Sequence, residues 1–122
     1  MLNAHDSSAI VAVSDIARAR AFYGTTLGLE QSGGEGDVLQ FRTGATSLVV
    51  YRSDFAGTNQ ANAVVWGVGD DMDAIVADLQ GKGVRFEHYE GMERRGDIHV
   101  AGAFKMAWFK DPDGNILHIN NM

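Results

Sequence analysis

The sequence predicts an α+β chain of two tandem βαβββ modules that close a curved half-barrel sheet around a cup. Three observations carry this. Val13-Ser14-Asp15 recurs 55 residues later as Val68-Gly69-Asp70, and the same spacing carries Gly28 onto Gly83. The segment between each pair has helical periodicity. Each helix is flanked by strand-like runs that turn residues separate.

The opening strand is Ser8–Val13, followed by a helix from about Ile16 to Leu27 with Asp15 as N-cap. Its apolar stripe is Ile16, Ala19, Phe22/Tyr23 and Leu27. Three strands follow: Leu29–Ser32, Val38–Arg42 and Ser47–Arg52. The second copy begins with Ala63–Val68, then a helix from about Asp71 to Lys82 capped by Asp70, with the stripe Met72, Ile75, Val76 and Leu79. Its strands are Val84–His88, Phe104–Lys110 and Ile116–Asn120. An aspartate at each helix start accepts free amide hydrogens, and Gly28 and Gly83 permit the left-handed turn that ends a helix. Gly33-Gly34-Glu35-Gly36, Thr43-Gly44-Ala45 and Asp111-Pro112-Asp113-Gly114-Asn115 read as turns. A second spacing, 68, maps Phe41-Arg42 onto Phe109-Lys110 and Leu48–Tyr51 onto Ile116–Ile119. The second copy therefore carries about 13 extra residues, expected within the polar stretch Tyr89–Gly102. Module one spans about 5–53 and module two about 61–122, within one domain over 1–122.

Composition bounds the function. The chain has 122 residues, 45% hydrophobic and 21% charged, which suits one globular domain. Without cysteine it has no disulfide, thiolate metal site or cysteine nucleophile. A net charge of −6 argues against nucleic acid, which needs a basic face. No apolar run is long enough to span a bilayer, and no secretory signal is visible at the start, so a cytoplasmic location is expected. One βαβββ unit covers only one face of its sheet with a helix. Two units side by side leave a concave face, the natural place for a ligand.

Val13-Ser14-Asp15, Ala19-Arg20-Ala21-Phe22-Tyr23 and Leu27-Gly28-Leu29-Glu30 resemble the first module of the vicinal oxygen chelate superfamily, which includes glyoxalase I, bleomycin-resistance proteins and extradiol dioxygenases. Trp108–Leu117, with its Asp-Pro-Asp-Gly-Asn turn, resembles the final hairpin of that superfamily. The resemblance implies the paired βαβββ fold and a homodimer. It also implies four metal ligands, His, Glu or Gln, on strands lining the cup. Carried onto this chain, those positions are Ser8, Val50 (with Leu48 the other in-register candidate), Ala63 and His118. Valine and alanine ligate nothing, and a neutral serine is a poor ligand for a transition metal. One imidazole does not hold a divalent ion against water, so no resident metal is expected. A displaced site on His99, His118 and Glu87 is the alternative.

Strand alternation assigns the cup face. Ser8, Ile10 and Ala12 share it with Ala63, Val65 and Gly67, while Leu48 pairs with Val50 and Ile116 with His118. Ala9, Val11, Val13, Val64, Trp66 and Val68 then pack beneath the helices. The predicted ligand site is Ser8, Ile10, Leu48, Val50, Ala63, Val65, Trp108 and His118, with Trp108 as a stacking wall and His118 as a polar anchor or acid/base group. His118 reads equally as a histidine partly buried against Trp108 or Met106, and the apolar face equally as plain core. Glu90–Asp97 is either a lid bearing Arg94 and Arg95 or a solvated loop. The glycine run near residue 33 lacks the Gly-Lys-Ser/Thr ending of a phosphate loop. The leading expectation is a protein that binds a small apolar or aromatic molecule without the usual metal and without strong catalysis. The competing readings are a divalent-metal-dependent lyase, isomerase or dioxygenase with a displaced site, and a structural or regulatory dimer module.

Overall fold

A computed structural model describes the whole chain, Met1–Met122. Module one comprises β1 (Ala9–Val13), α1 (Ile16–Arg20), β2 (Glu30–Glu35), β3 (Val38–Thr43) and β4 (Thr46–Arg52). Module two comprises β5 (Asn62–Gly67), α2 (Met72–Gly81), β6 (Glu93–Arg95), β7 (Ile98–Ala101), β8 (Phe104–Lys110) and β9 (Ile116–Asn120). The strand orders are β1-β4-β3-β2 and β5-β9-β8-β7-β6, with β1 parallel to β4 and β5 parallel to β9. The two sheets meet where β1 contacts β5.

Local chemistry shapes the helices. The Asp15 carboxylate accepts the Arg18 N–H at 2.9 Å, capping α1. Past Arg20 the helix widens into a π-helical turn, Ala21–Thr26, in which Leu27 N–H donates to the Phe22 carbonyl at 2.9 Å. That turn aims Tyr23 inward, where it is fully buried. The second helix begins differently from expectation. Gly69–Asp71 form a 3-10 turn, so Asp71 rather than Asp70 sits at the N-cap, and its side chain makes no capping bond. Gly28 and Gly83, at φ +72° and +85°, end the helices in the left-handed conformation.

The helix-facing sides of both sheets share one core of 17 buried residues. Val11, Leu39, Phe41, Leu48 and Val50 contribute from module one, and Val64, Ala107, Phe109, Leu117 and Ile119 from module two. The Asp111–Asn115 turn locks the modules together. Asn115 Nδ2 donates to the Ala12 carbonyl at 2.8 Å, and Ser14 Oγ donates to Asp113 at 2.6 Å. Tyr23 Oη donates to Asp111 Oδ2 at 2.7 Å.

Two expectations need correction. Val84–His88 forms no strand: only Phe86 pairs, through an isolated bridge to Phe109, and Glu87 N–H donates to the Trp108 carbonyl at 2.7 Å. The reason is competition for one sheet edge. Within the insertion, β6 and β7 form a hairpin, and β7 takes the other half of the β8 edge at Phe104–Met106. The second correction concerns register. Phe41 lies opposite Leu48, and Phe109 opposite Leu117, so the last strands correspond at a spacing of 69 rather than 68. The five-residue turn Asp111–Asn115 supplies the extra position. A slip of one residue moves every side chain to the other face.

Candidate ligand cup

Leu48 and Val50, expected in the cup, lie on the helix side. They pair with Ala9 and Val11 and are completely buried in the core. The cup residues of β4 are Ser47, Val49 and Tyr51, and Val49 is the counterpart of His118. Ile10 and Val65 face the open side, 61% and 59% exposed, and Ala12 lies beside them opposite Tyr51. Ser8 precedes β1 at the rim, exposed, with Oγ 3.4 Å from Thr46 Oγ1. Ala63 sits in a bulge of β5, where the pairing with β9 skips from Asn62 to Val64.

That bulge opens a cavity of about 250 Å³ at the seam between the modules. Ile10, Ala12, Tyr51 and Ala63 line it from the strands, and Phe55 and Asn59 of the inter-module linker form its rim. None of its ten lining residues is charged. Sequence reasoning missed Tyr51, Phe55 and Asn59. The Tyr51 signal was available, since alternation from a correct register would have placed it.

Across Val65 the cup face continues into an aromatic wall. Val65 pairs with His118, which pairs with Trp108. The His118 ring stacks on the Trp108 indole, with centroids 4.7 Å apart and planes 20° apart. His99 and Tyr89 meet the same indole edge-on, each at 5.0 Å. Trp108 and His118 are therefore nearly covered, at 9% and 8% exposure.

The hydrogen bonds assign the tautomer of His118. A carbonyl only accepts, so Nδ1 carries the proton and donates to Ala107 O at 3.1 Å. Nε2 then accepts from Asn120 Nδ2 at 3.2 Å, and Asn120 Oδ1 in turn accepts Met122 N–H at 3.1 Å. Burial lowers the His118 pKa, partly opposed by the Ala107 carbonyl, which keeps the ring neutral at pH 7. His99 is fully buried, and its Nε2 accepts the Tyr89 N–H at 2.9 Å. Burial, chiefly, lowers its pKa as well; His88 and Arg94 act in the same direction, and the backbone of Met106 and Tyr89 opposes them. Its Nδ1 has no hydrogen-bond partner.

These residues do not fit a divalent cation. With the register corrected, the four positions are Ser8, Val49, Ala63 and His118, and two of them have no donor atom. The displaced set fares no better. Trp108 lies against both His99 and His118, and Glu87 turns away to Lys110 at 3.5 Å. No three His, Asp or Glu side chains gather where they could hold an ion. Nor do Arg94 and Arg95 roof the cup. Arg94 donates to the Gly96 carbonyl at 2.6 Å within its own hairpin, and Arg95 is exposed on β6.

The sequence profile of the Glyoxalase/Bleomycin resistance protein/Dioxygenase superfamily matches residues 7–119. The chain belongs to that superfamily. Its fold is shared with the glyoxalase/bleomycin resistance protein/dioxygenase from Alicyclobacillus acidocaldarius, 19% identical over 98% of this chain and 93% of that one, TM-score 0.73. It is shared also with a lactoylglutathione lyase from Agrobacterium tumefaciens, 17% identical over 95% and 92%, TM-score 0.71. The oxidase ChaP-H2 is similar at 26% identity over 97% and 93%, TM-score 0.72. No curated protein matches the sequence. No helix of this superfamily member is long and apolar enough to cross a membrane.

Proposed function

We propose that this glyoxalase-superfamily protein binds a small, uncharged, flat molecule in the seam cavity of the cup, without a resident metal. The observation that carries this is the uncharged 250 Å³ cavity, whose lining holds no histidine or carboxylate. Its size sits between the roughly 150 Å³ that accommodates benzene and the roughly 300 Å³ at which drug-sized sites begin. A molecule of one or two rings fits that range. The ligand would lie on Ala12 and Ala63, with Tyr51 and Asn59 supplying polar contacts.

The test uses 2-naphthol, a neutral two-ring probe, titrated calorimetrically into chelator-treated protein. Saturable binding is expected. Ala12→Phe and Ile10→Trp each crowd the cavity that these residues line, and each weakens binding by about tenfold or more, a loss of roughly 1.4 kcal/mol. Equal affinity in both variants, or affinity that the chelator abolishes, refutes the proposal.

The likeness to an oxidase supports a second reading, in which the held molecule is also transformed. His118 does not line the cavity and both of its nitrogens are already engaged, so binding is the better-supported role. The exposure of Ile10, Val38 and Val65 on one face also supports a homodimer that covers this face. Sedimentation of wild type against Ile10→Asp tests it, with a shift to monomer expected.

A further inference from the structure

The aromatic wall is covered by a strap, Glu87–Met92, that has little of its own to hold it. Its first residue is tied to β8 by the Glu87 N–H bond to Trp108 O. Beyond that point three polar attachments remain, one of them Arg94 Nη1 at 3.4 Å from His88 Nε2. The Tyr89 amide donates to His99 Nε2, and His88 Nε2 lies 2.6 Å from Asp97 Oδ1. Asp97 is held in turn by Gln80 Nε2 of α2 at 2.7 Å. The Tyr89 ring lies edge-on against Trp108, and Tyr89 and Met92 are each 38% exposed.

We infer that the strap is an acid-opened gate over Trp108 and His118, latched by the Tyr89 amide on His99. It adds regulation to the proposed ligand cup and rests on that reading only for what passes through. The latch needs a lone pair on His99 Nε2. Once that nitrogen binds a proton, two N–H groups face one another and the bond is lost. His88 and Tyr89 of the strap, Arg94 opposite His99 on β6, and Met106 and Trp108 of β8 surround the ring. None supplies an anion to hold an imidazolium in place. The clasp behaves oppositely. Asp97 has its pKa lowered, first by the His88 hydrogen bond and then by Gln80, so it stays ionised in mild acid and holds His88. Acid therefore frees Tyr89 while His88 stays, and the strap swings about the clasp.

The imidazole is neutral in the closed state because burial depresses its pKa. Closure is fully stable above about pH 6.5, the ordinary histidine value, and weakens as pH falls below it. The chain has two tryptophans, so Trp66→Phe leaves Trp108 as the reporter. In this variant without ligand, amide hydrogen exchange of Tyr89 and acrylamide quenching are measured at pH 7.5 and 5.0. The Tyr89 protection factor is expected to fall by up to about thirtyfold, at tenfold per pH unit between the onset near pH 6.5 and pH 5.0, with a parallel rise in quenching. His99→Gln presents an acceptor oxygen at both pH values and should abolish the pH dependence. Protection and quenching that stay flat in the folded protein overturn the gate. So does an undiminished pH response in His99→Gln. Should that variant fail to fold, the NMR titration of His99 decides: the Tyr89 amide must be released at the same midpoint, and a different midpoint overturns the inference. No ligand is present, so these outcomes are independent of the 2-naphthol result.

Discussion

Tyr23→Phe removes one oxygen and tests how the two modules are held in register. Asp111 is 4% exposed and its carboxylate accepts four hydrogen bonds. Oδ2 receives Tyr23 Oη at 2.7 Å and Asn115 Nδ2 at 2.8 Å. Oδ1 receives the backbone N–H groups of Asp113 at 3.0 Å and Asn115 at 2.9 Å. Burial, chiefly, and the adjacent carboxylate raise the Tyr23 pKa far above the ordinary phenol range, so its proton stays available to donate. A hydrogen bond to a charged group contributes about 1.5–3 kcal/mol, and the ring itself keeps its packing in phenylalanine. The expected loss is therefore about 2 kcal/mol. For a domain of this length that lowers Tm by roughly 6–10 °C. Asp111→Ala strands all four donors at once and should cost roughly 4 kcal/mol or more. Thermal and urea unfolding followed by circular dichroism measure both. A Tyr23→Phe variant that melts within about 1 °C of wild type refutes the account of the clamp.

Stability should also fall in acid. His99 and His118 both have pKa values depressed by burial, so the unfolded chain binds protons more readily than the folded one. Their contribution is complete above about pH 6.5 and is lost as pH falls below that, with a slope of up to about 2.7 kcal/mol per pH unit for two groups. Urea midpoints at pH 7.5 and 5.0 measure it, and an unchanged midpoint contradicts the burial argument. The hemithioacetal of methylglyoxal with a thiol should be converted at the uncatalysed rate, and turnover that scales with added metal would show the donor set misjudged.

Much of the fold was legible because the same physical signals occur twice. The Asp15 cap, the stripes of both helices and the glycines that end them are local chemistry, and they reappear in space nearly where the spacing put them. The strands Phe104–Lys110 and Ile116–Asn120 match residue for residue. The site was less legible, for identifiable reasons. Leu48 and Val50 alternate correctly with each other, but alternation fixes only a pair's common face. Which face depended on one added residue in the Asp111–Asn115 turn, and that turn length enters the register only through strand pairing. Val84–His88 has the composition of a strand, yet β7 takes half of the edge it would need. Tyr89 became part of the wall through a contact with His99 across the insertion, which no periodicity records. Phe55 and Asn59 belong to a linker whose course depends on the modules it joins.

The central claim is that this chain retains the superfamily's cup while Ser8, Val49 and Ala63 occupy positions that cannot grip a cation. Elemental analysis of freshly purified protein tests it most directly. The account predicts Zn, Ni, Fe and Mn all far below stoichiometric, with no gain after incubation with each ion and desalting. One tightly held equivalent of any of them, lost in His118→Ala while the fold persists, would contradict it.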